Sequence, residues 1–377
     1  MLRIRLLLVV DGYFSLGPQD RNDRSFSISH LMKGLKGSTD PVIQLDTAHR
    51  DGDLDATIWG KFDFATSVAD LGVYDEIWMF GYNGPNKADP KNSELRPPIR
   101  EDELLVLARF MENGGGVLAS GDHEGLGCYM CGRIPRVRTM RKWFARDDHD
   151  PSIPPEAPRN WPVHGEDRAD TLQKDTEDKW LFTNQSDNIP QPLNLVIVPG
   201  QGIHETFDLG FQRVLKHFPD HFHEGEVLGF GGVDQKTSEP WTLNETLSFK
   251  GEKFVEYPKK EEHQEVPRII ATGNVIGGHE TVVEKGKLCE SGFEPDKSIT
   301  KAKTINTLSV YDGRTVGVGR ILTDSSFHHF CDLNLIGDPC AIKQKTQGFD
   351  YRFLEEMNGF FANVVRWLAH PRAQSKY

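Results

Sequence analysis

The hydrophobic positions of this chain form short continuous runs, separated by stretches with helical periodicity. Continuous apolar runs predict strands that are covered on both faces, and they lie at residues 4–10, 42–45, 74–81 and 117–119. Residues 27–35 and 101–112 instead repeat apolar side chains on one side of a 3.6-residue helix. Strands that alternate with helices at these spacings predict an α/β fold with a doubly wound, mostly parallel sheet.

The same pattern resumes near the end of the chain. Residues 268–272 predict another strand, and residues 307–311 and 316–322 predict a hairpin around a turn at Asp312 and Gly313. The last helix is predicted over residues 353–368. Its apolar positions recur with helical spacing and are expected to face the core: Leu354, Met357, Phe361, Val364, Val365 and Leu368.

The middle of the chain departs from this pattern. Residues 145–265 are rich in proline, histidine and acidic side chains, with one clear strand at residues 193–198 and a helix-like stretch at residues 211–217. We therefore expect residues 1–144 and 266–377 to form one α/β domain. The segment between them is predicted to be an insertion or a lid over the crevice of that domain.

Composition limits the class of protein. The chain of 377 residues has a formal net charge of -12, which argues against a nucleic-acid or anionic-membrane surface because phosphate groups need clustered cations. The apolar run before Asp11 is too short to span a membrane and has no signal-peptide cleavage site. We therefore predict a cytoplasmic protein whose partner is a small molecule; a homo-oligomer is also allowed.

Polar side chains follow several predicted strands, and the strongest group is Gly121-Asp122-His123-Glu124-Gly125. The carboxyl ends of parallel strands share one edge of a sheet, where ligands bind. A tight turn there exposes a histidine that titrates near neutral pH beside two carboxylates, which suits acid–base catalysis. The alternative is a polar turn whose carboxylates cap the next helix. We predict catalytic roles for Asp122, His123, Glu124 and His328.

Other polar residues at the ends of predicted strands are candidates for substrate binding. They are Asp11, Tyr82, Asn83, Asn274, Ser325 and His329. A basic cluster follows the turn and allows two interpretations, a site for an anionic substrate or a solvated helix face. It contains Arg133, Arg136, Arg138, Arg141 and Lys142.

A divalent metal, zinc or manganese, is a further hypothesis. His221 and His223 are two residues apart, so on an extended segment both imidazoles lie on one face, with Glu224 next to them. The alternative is a solvated loop or part of a substrate lid. No nucleotide cofactor is expected, because the chain contains neither a Walker A sequence nor a G-x-G-x-x-G fingerprint after a strand.

The frame of a central strand followed by Gly121 and Gly125 resembles the nucleophile elbow of the class I glutamine amidotransferase-like superfamily. His123 occupies the position that usually holds cysteine, so the resemblance argues against a thiol-dependent glutaminase. A histidine there is similar to the trehalose-utilisation (ThuA-like) branch, as is a late strand that ends in serine and histidine before a helix containing Trp367. This resemblance implies a flavodoxin-like fold and a site for a sugar-derived substrate.

Two functions from different classes follow. The first is an enzyme, hydrolytic or isomerising, that acts on a small polar substrate through histidine and carboxylate acid–base chemistry. The second is a ligand-binding or assembly module that kept the fold without catalysis. Loss of turnover in His123→Ala, with normal folding, would distinguish the first from the second.

Overall fold

A computed structural model describes residues 2–18, 26–84, 98–122, 126–141, 143, 190–198, 200–219, 227–229, 245–275, 303–336 and 351–374. Its centre is a nine-stranded sheet. We number these strands in chain order as β1 (Arg3–Val10), β2 (Val42–His49), β3 (Glu76–Phe80), β4 (Gly116–Ser120), β5 (Gln191–Leu195), β6 (His217–Phe218), β7 (Arg268–Val275), β8 (Lys303–Tyr311) and β9 (Ile321–Asp324).

The sheet has a parallel half and an antiparallel half. Its strand order is β6-β5-β7-β8-β9-β4-β3-β1-β2. The five strands from β9 to β2 pair in parallel. The remaining strands pair antiparallel, beginning with β8 against β9. The five parallel strands therefore end at one edge, called the carboxyl edge below, and begin at the other, called the amino edge.

Helices cover both faces of this sheet. They are α1 (Ser29–Gly37), α2 (Glu101–Glu112), α3 (Cys128–Cys131), α4 (Asp332–Leu335), α5 (Tyr351–Leu368) and α6 (Pro371–Gln374). Successive side chains of a strand point to opposite faces, and β1 is apolar on both. Leu6 and Leu8 belong to the core beneath α1 and α5, whereas Leu7 and Val9 belong to the core beneath α2.

Short two-stranded ribbons surround the sheet. The pairs are Phe14–Ser15 with Phe26–Ser27, Ile197–Val198 with Gly202–Ile203, Asp208–Gly210 with Arg213–Val214, Thr246–Phe249 with Glu252–Val255, and Lys259–Lys260 with His263–Gln264. Five 3-10 helices complete the described elements: Leu71–Val73, Val137–Thr139, Glu205–Phe207, Gly313–Val316 and Phe327–Phe330. Among the described residues, no helix is long and apolar enough to cross a membrane.

The predicted α/β class is confirmed, but two local predictions are wrong. Residues 211–217 do not form a helix, because Phe211 and Gln212 have positive φ values of 51° and 63° and turn the chain into short strands. The hairpin of β8 and β9 exists, but its connection contains the 3-10 helix Gly313–Val316, so the second strand begins only at Ile321.

The segment predicted as an insertion contributes to the main sheet. β5 pairs with β7, and β6 extends the same sheet beyond β5. These pairings join residues 191–195 and 217–218 to the antiparallel half. The domain boundaries predicted at residues 144 and 265 stay a prediction.

Candidate functional site

The carboxyl edge brings several of the predicted site residues together. Asp11 follows β1, Tyr82 and Asn83 follow β3, Asp122 follows β4, and Ser325 follows β9. Because these four strands are neighbours in one parallel array, the residues that follow them lie along one edge of the sheet. The prediction that polar groups after these strands share an edge is confirmed for these residues.

Asp11 ties the end of β1 to the end of β3. Its Oδ1 accepts hydrogen bonds from the main-chain N–H groups of Tyr82 at 2.6 Å and Asn83 at 3.1 Å. The carboxyl is buried, and desolvation raises its pKa above the ordinary value despite these two hydrogen bonds and the charge of Arg50. Asp51 also holds the end of β3, since its Oδ2 accepts a hydrogen bond from the Asn83 side chain at 3.0 Å.

The second half of the site joins the ends of β4 and β9. Asp122 is 1% exposed, and its Oδ1 accepts a hydrogen bond from Ser326 Oγ at 3.1 Å. Its other oxygen, Oδ2, lies 3.5 Å from His328 Nε2. The His328 side chain is 14% exposed, so solvent reaches the imidazole while the carboxylate beside it is buried.

Hydrogen bonds orient the His328 ring. Its Nδ1 lies 2.9 Å from Oδ1 of Asn334, the third residue of α4. An amide oxygen only accepts, so this contact puts a proton on Nδ1 and leaves Nε2 facing Asp122. Ser326 caps the 3-10 helix that carries the ring, because its Oγ accepts from the His328 N–H at 3.0 Å.

The next histidine points into the core. His329 is 1% exposed, and its Nδ1 lies 2.7 Å from Asp324 Oδ1, a fully buried carboxylate. The ring centroid of Phe218 lies 4.4 Å from that of His329. The two adjacent histidines thus lie in different environments, and among the two His328 is the one that solvent reaches.

Buried arginines replace the basic surface that the sequence had allowed. Arg141 is 0% exposed and donates to the carbonyl oxygens of Asp122 at 2.7 Å and Ser325 at 2.7 Å. It thereby clamps the ends of β4 and β9 together. Arg136 and Arg138 are also buried, bound to Glu256. For these three arginines the solvated helix face is wrong, and a site for an anionic substrate stays a prediction.

Aromatic side chains lead from solvent to His328. Tyr13 is 48% exposed, and its ring centroid lies 4.9 Å from that of Tyr82. Phe26 packs between Tyr82, at 5.9 Å, and His328, at 5.1 Å. A substrate that reaches His328 along this side therefore meets an aromatic wall. The sequence had singled out Tyr82 alone among these three aromatic residues.

The remaining candidates are less informative. Asn274 lies exposed on β7, two strands away from β9, where its Oδ1 accepts from Thr304 Oγ1 at 2.9 Å. Five of the sequence candidates lie outside the described residues: His123, Glu124, His221, His223 and Glu224. Within the described ranges, no group of three or more His, Cys, Asp or Glu side chains could hold a metal ion. The predicted metal stays a prediction.

Sequence reasoning also missed the two residues whose side chains hold Asp122 and His328 in place, Ser326 and Asn334. Ser326 precedes a short helix in the manner of an N-cap, which is a local signal that could have identified it. Asn334 has no such signal, because its contact with His328 depends on how α4 follows the 3-10 helix.

Comparison with known proteins gives no family. No protein-family model and no curated protein matches the chain. Two solved structures from Salmonella typhimurium align with 97% of this chain and 99% of theirs, each at 11% identity. They are cytoplasmic protein STM1381 of strain LT2, with a TM-score of 0.39, and cytoplasmic protein STM3548, with a TM-score of 0.37.

Proposed function

We propose that this protein is an enzyme that acts on a small polar substrate by acid–base chemistry, with His328 and Asp122 as the proton-transferring pair. The observation that carries the proposal is the 3.5 Å approach of His328 Nε2 to Asp122 Oδ2 at the carboxyl edge. In α/β sheets this edge is where ligands bind. His328 is partly open to solvent, so a substrate can reach it.

The arrangement suits reversible proton transfer. With the Nδ1 proton donated to Asn334, Nε2 is the nitrogen that gains or loses a proton. Asp122 stabilises the imidazolium form, because a carboxylate beside Nε2 favours positive charge on the ring. Ser326 donates a hydrogen bond to Asp122, and His328 Nδ1 donates one to Asn334. These bonds fix the orientation of both side chains, which lowers the entropic cost of orienting them during the reaction.

The class of fold and the substrate are part of the proposal. The parallel half has the order β2-β1-β3-β4-β9, which follows the 2-1-3-4-5 order of flavodoxin-like sheets. This order supports a doubly wound, flavodoxin-like architecture and the resemblance to the ThuA-like branch. A sugar-derived substrate fits the aromatic wall, since the apolar face of a sugar ring packs on aromatic side chains.

Turnover measurements test the proposal. Wild-type protein is assayed on nitrophenyl esters, nitrophenyl glycosides and pairs of interconverting aldoses and ketoses. On any substrate that is turned over, His328→Asn should lose about 10²–10⁴-fold in kcat, the usual contribution of a general acid–base group. The matched control is His263→Asn, a 54% exposed histidine outside the carboxyl edge, which should retain full turnover.

Two results would contradict the proposal. One is full turnover by His328→Asn on an identified substrate. The other is saturable binding of these compounds with no turnover of any of them, which would favour the non-catalytic binding module. His123 and Glu124 directly follow Asp122 in the chain, so their alanine variants belong in the same assay.

A further inference from the structure

A cavity lies at the amino edge of the sheet, at the opposite end of the parallel strands from the proposed catalytic pair. Its volume is about 360 Å³. Ile270 of β7, Val310 of β8 and Trp367 of α5 provide apolar walls. Val310 neighbours Tyr311, which pairs with Ile321, the first residue of β9, so the cavity lies where the parallel strands begin. Its size is in the usual range for small-molecule sites.

Most charges around this cavity are already paired. Glu265 is 6% exposed at its side chain and accepts from Arg268 at 2.8 Å. Asp312 accepts hydrogen bonds from Nε and Nη2 of Arg320, each at 2.8 Å. These pairs neutralise each other, so they give the cavity polar walls without a large net field.

One carboxylate remains. Glu205 lines the cavity and is exposed, and no hydrogen bond or ion pair engages its side chain among the described residues. Arg314 acts on it only at longer range, since that guanidinium is bound to the carbonyl oxygens of Trp367 and Ala369. Glu205 is therefore the lining carboxylate that the charged group of a ligand can meet.

The neighbouring imidazole does not oppose a cation. His204 Nδ1 lies 2.9 Å from Thr206 Oγ1 and 3.4 Å from the Thr206 main-chain nitrogen. Burial lowers the pKa of His204 to about 4, with the positive charge of Arg320 as the next cause. The ring is thus neutral at pH 7, and its centroid lies 4.9 Å from that of Trp367.

We infer that this cavity binds a small organic cation, an amine with an apolar body, whose charged group meets Glu205 and whose body packs against Trp367, Ile270 and Val310. This inference is independent of the proposed catalytic function, because no residue of the His328 site takes part in it. It assigns the protein a second small-molecule site on the edge of the sheet opposite the first.

Three probes of matched shape test the charge preference: phenethylamine, the neutral 2-phenylethanol and the anionic 3-phenylpropionate. Binding to the full chain is measured by calorimetry and by saturation-transfer NMR. Phenethylamine should bind most tightly. Glu205→Gln should weaken it about three- to five-fold, the range expected for one ion pair of limited burial. Ile203→Trp, at a 41% exposed position on the cavity wall, should abolish binding by filling the space.

The control variant is Glu262→Gln, which removes a fully exposed carboxylate outside the cavity and should leave binding unchanged. Three results would overturn the inference. They are no phenethylamine binding at millimolar concentration, binding that survives Ile203→Trp in protein with a normal melting temperature, and equal or tighter binding of the anionic probe. His328→Asn should bind phenethylamine normally, so a failure of the proposed cation site can be distinguished from a failure of the proposed catalytic site.

Discussion

At the scale of single residues, three carboxylates of the carboxyl edge have different surroundings. Asp11 is enclosed by main-chain N–H groups, Asp324 by the buried ring of His329, and Asp122 by Ser326 and the partly exposed His328. Among these three, Asp122 is the one whose neighbour is an imidazole that solvent reaches. This difference in surroundings, more than the residue type, selects Asp122 as the member of a reacting pair.

Asp11 should make stability depend on pH. Its pKa is raised in the folded state above the ordinary 3.8, so between these two values the folded protein binds an extra proton and stability falls as pH rises. The amide of Asp11→Asn does not titrate. As pH rises through that window, the free energy of unfolding of this variant, measured by urea titration, should increase relative to that of wild type by up to about 1.4 kcal/mol per pH unit.

Asp208→Asn is the control, because Asp208 is exposed and its Oδ1 accepts from the nearby Gly210 N–H. Its pH profile should run parallel to that of wild type. A parallel profile for Asp11→Asn as well would show that the buried carboxyl does not titrate differently in the folded protein.

The residue scale also shows what sequence could reveal. Asp122 was predictable, since its position after a buried strand determines which edge it occupies. The burial of Arg136, Arg138 and Arg141 was not, because the acceptors that allow it lie over a hundred residues away, at Glu256 for two of them and near Asp324 for the third. Local charge clustering indicates a surface only when no distant counterion covers it.

At the scale of elements, three glycines let the ends of β3 and β4 pack closely against the start of α3. A Cβ at Gly81 would lie 2.6 Å from the Cα of Gly127, and one at Gly121 would overlap Leu126 O and lie 2.9 Å from Trp143. Gly127 has a φ of 87°, which favours glycine. Gly81, Gly121 and Gly127 are thus held together by contacts that no larger residue permits.

Gly121→Ala should therefore be costly. The added methyl group must displace main-chain atoms, which costs about 1–3 kcal/mol or more of the free energy of unfolding. Urea denaturation measures this loss. Gly37→Ala is the matched control, since a Cβ at that helical residue meets nothing within 4 Å, and stability should stay equal or rise slightly. An unchanged free energy for Gly121→Ala would contradict this packing.

The elements themselves were predictable where hydrophobic patterns are strong. β1, β3, β4, α2 and α5 follow the expected positions within a few residues. The wrong helix prediction at residues 211–217 has a physical reason. Phe211 is 97% exposed on a turn, whereas Leu215 packs in the core beside a strand. Such turns depend on tertiary contacts that periodicity does not encode.

At the scale of the whole molecule, the two halves of the sheet are continuous. β9 pairs with β8 of the antiparallel half on one side and with β4 of the parallel half on the other, so main-chain hydrogen bonds join the two halves. Strand order could not be deduced from the sequence, since β9 enters between β4 and β8 after a long separation in the chain. The position of β9 beside β4 brings His328 next to Asp122.

Shared strands predict cooperative unfolding. Far-ultraviolet circular dichroism, which follows the sheet and helices, and tryptophan fluorescence should give coincident urea transitions. Trp78 and Trp367 report on the core beneath α5, and Trp143 on the opposite core. Two separated transitions would mean that the two halves unfold as independent units.

The most direct test of the central claim is a double-mutant cycle on the substrate that the turnover assays identify. Values of kcat/KM are measured for wild type, Asp122→Asn, His328→Asn and the double variant. If the pair acts as one unit, each single variant loses much of the activity and the double variant loses little more than the worse single one. Losses that multiply, or a single variant with full activity, would show that His328 and Asp122 do not work together.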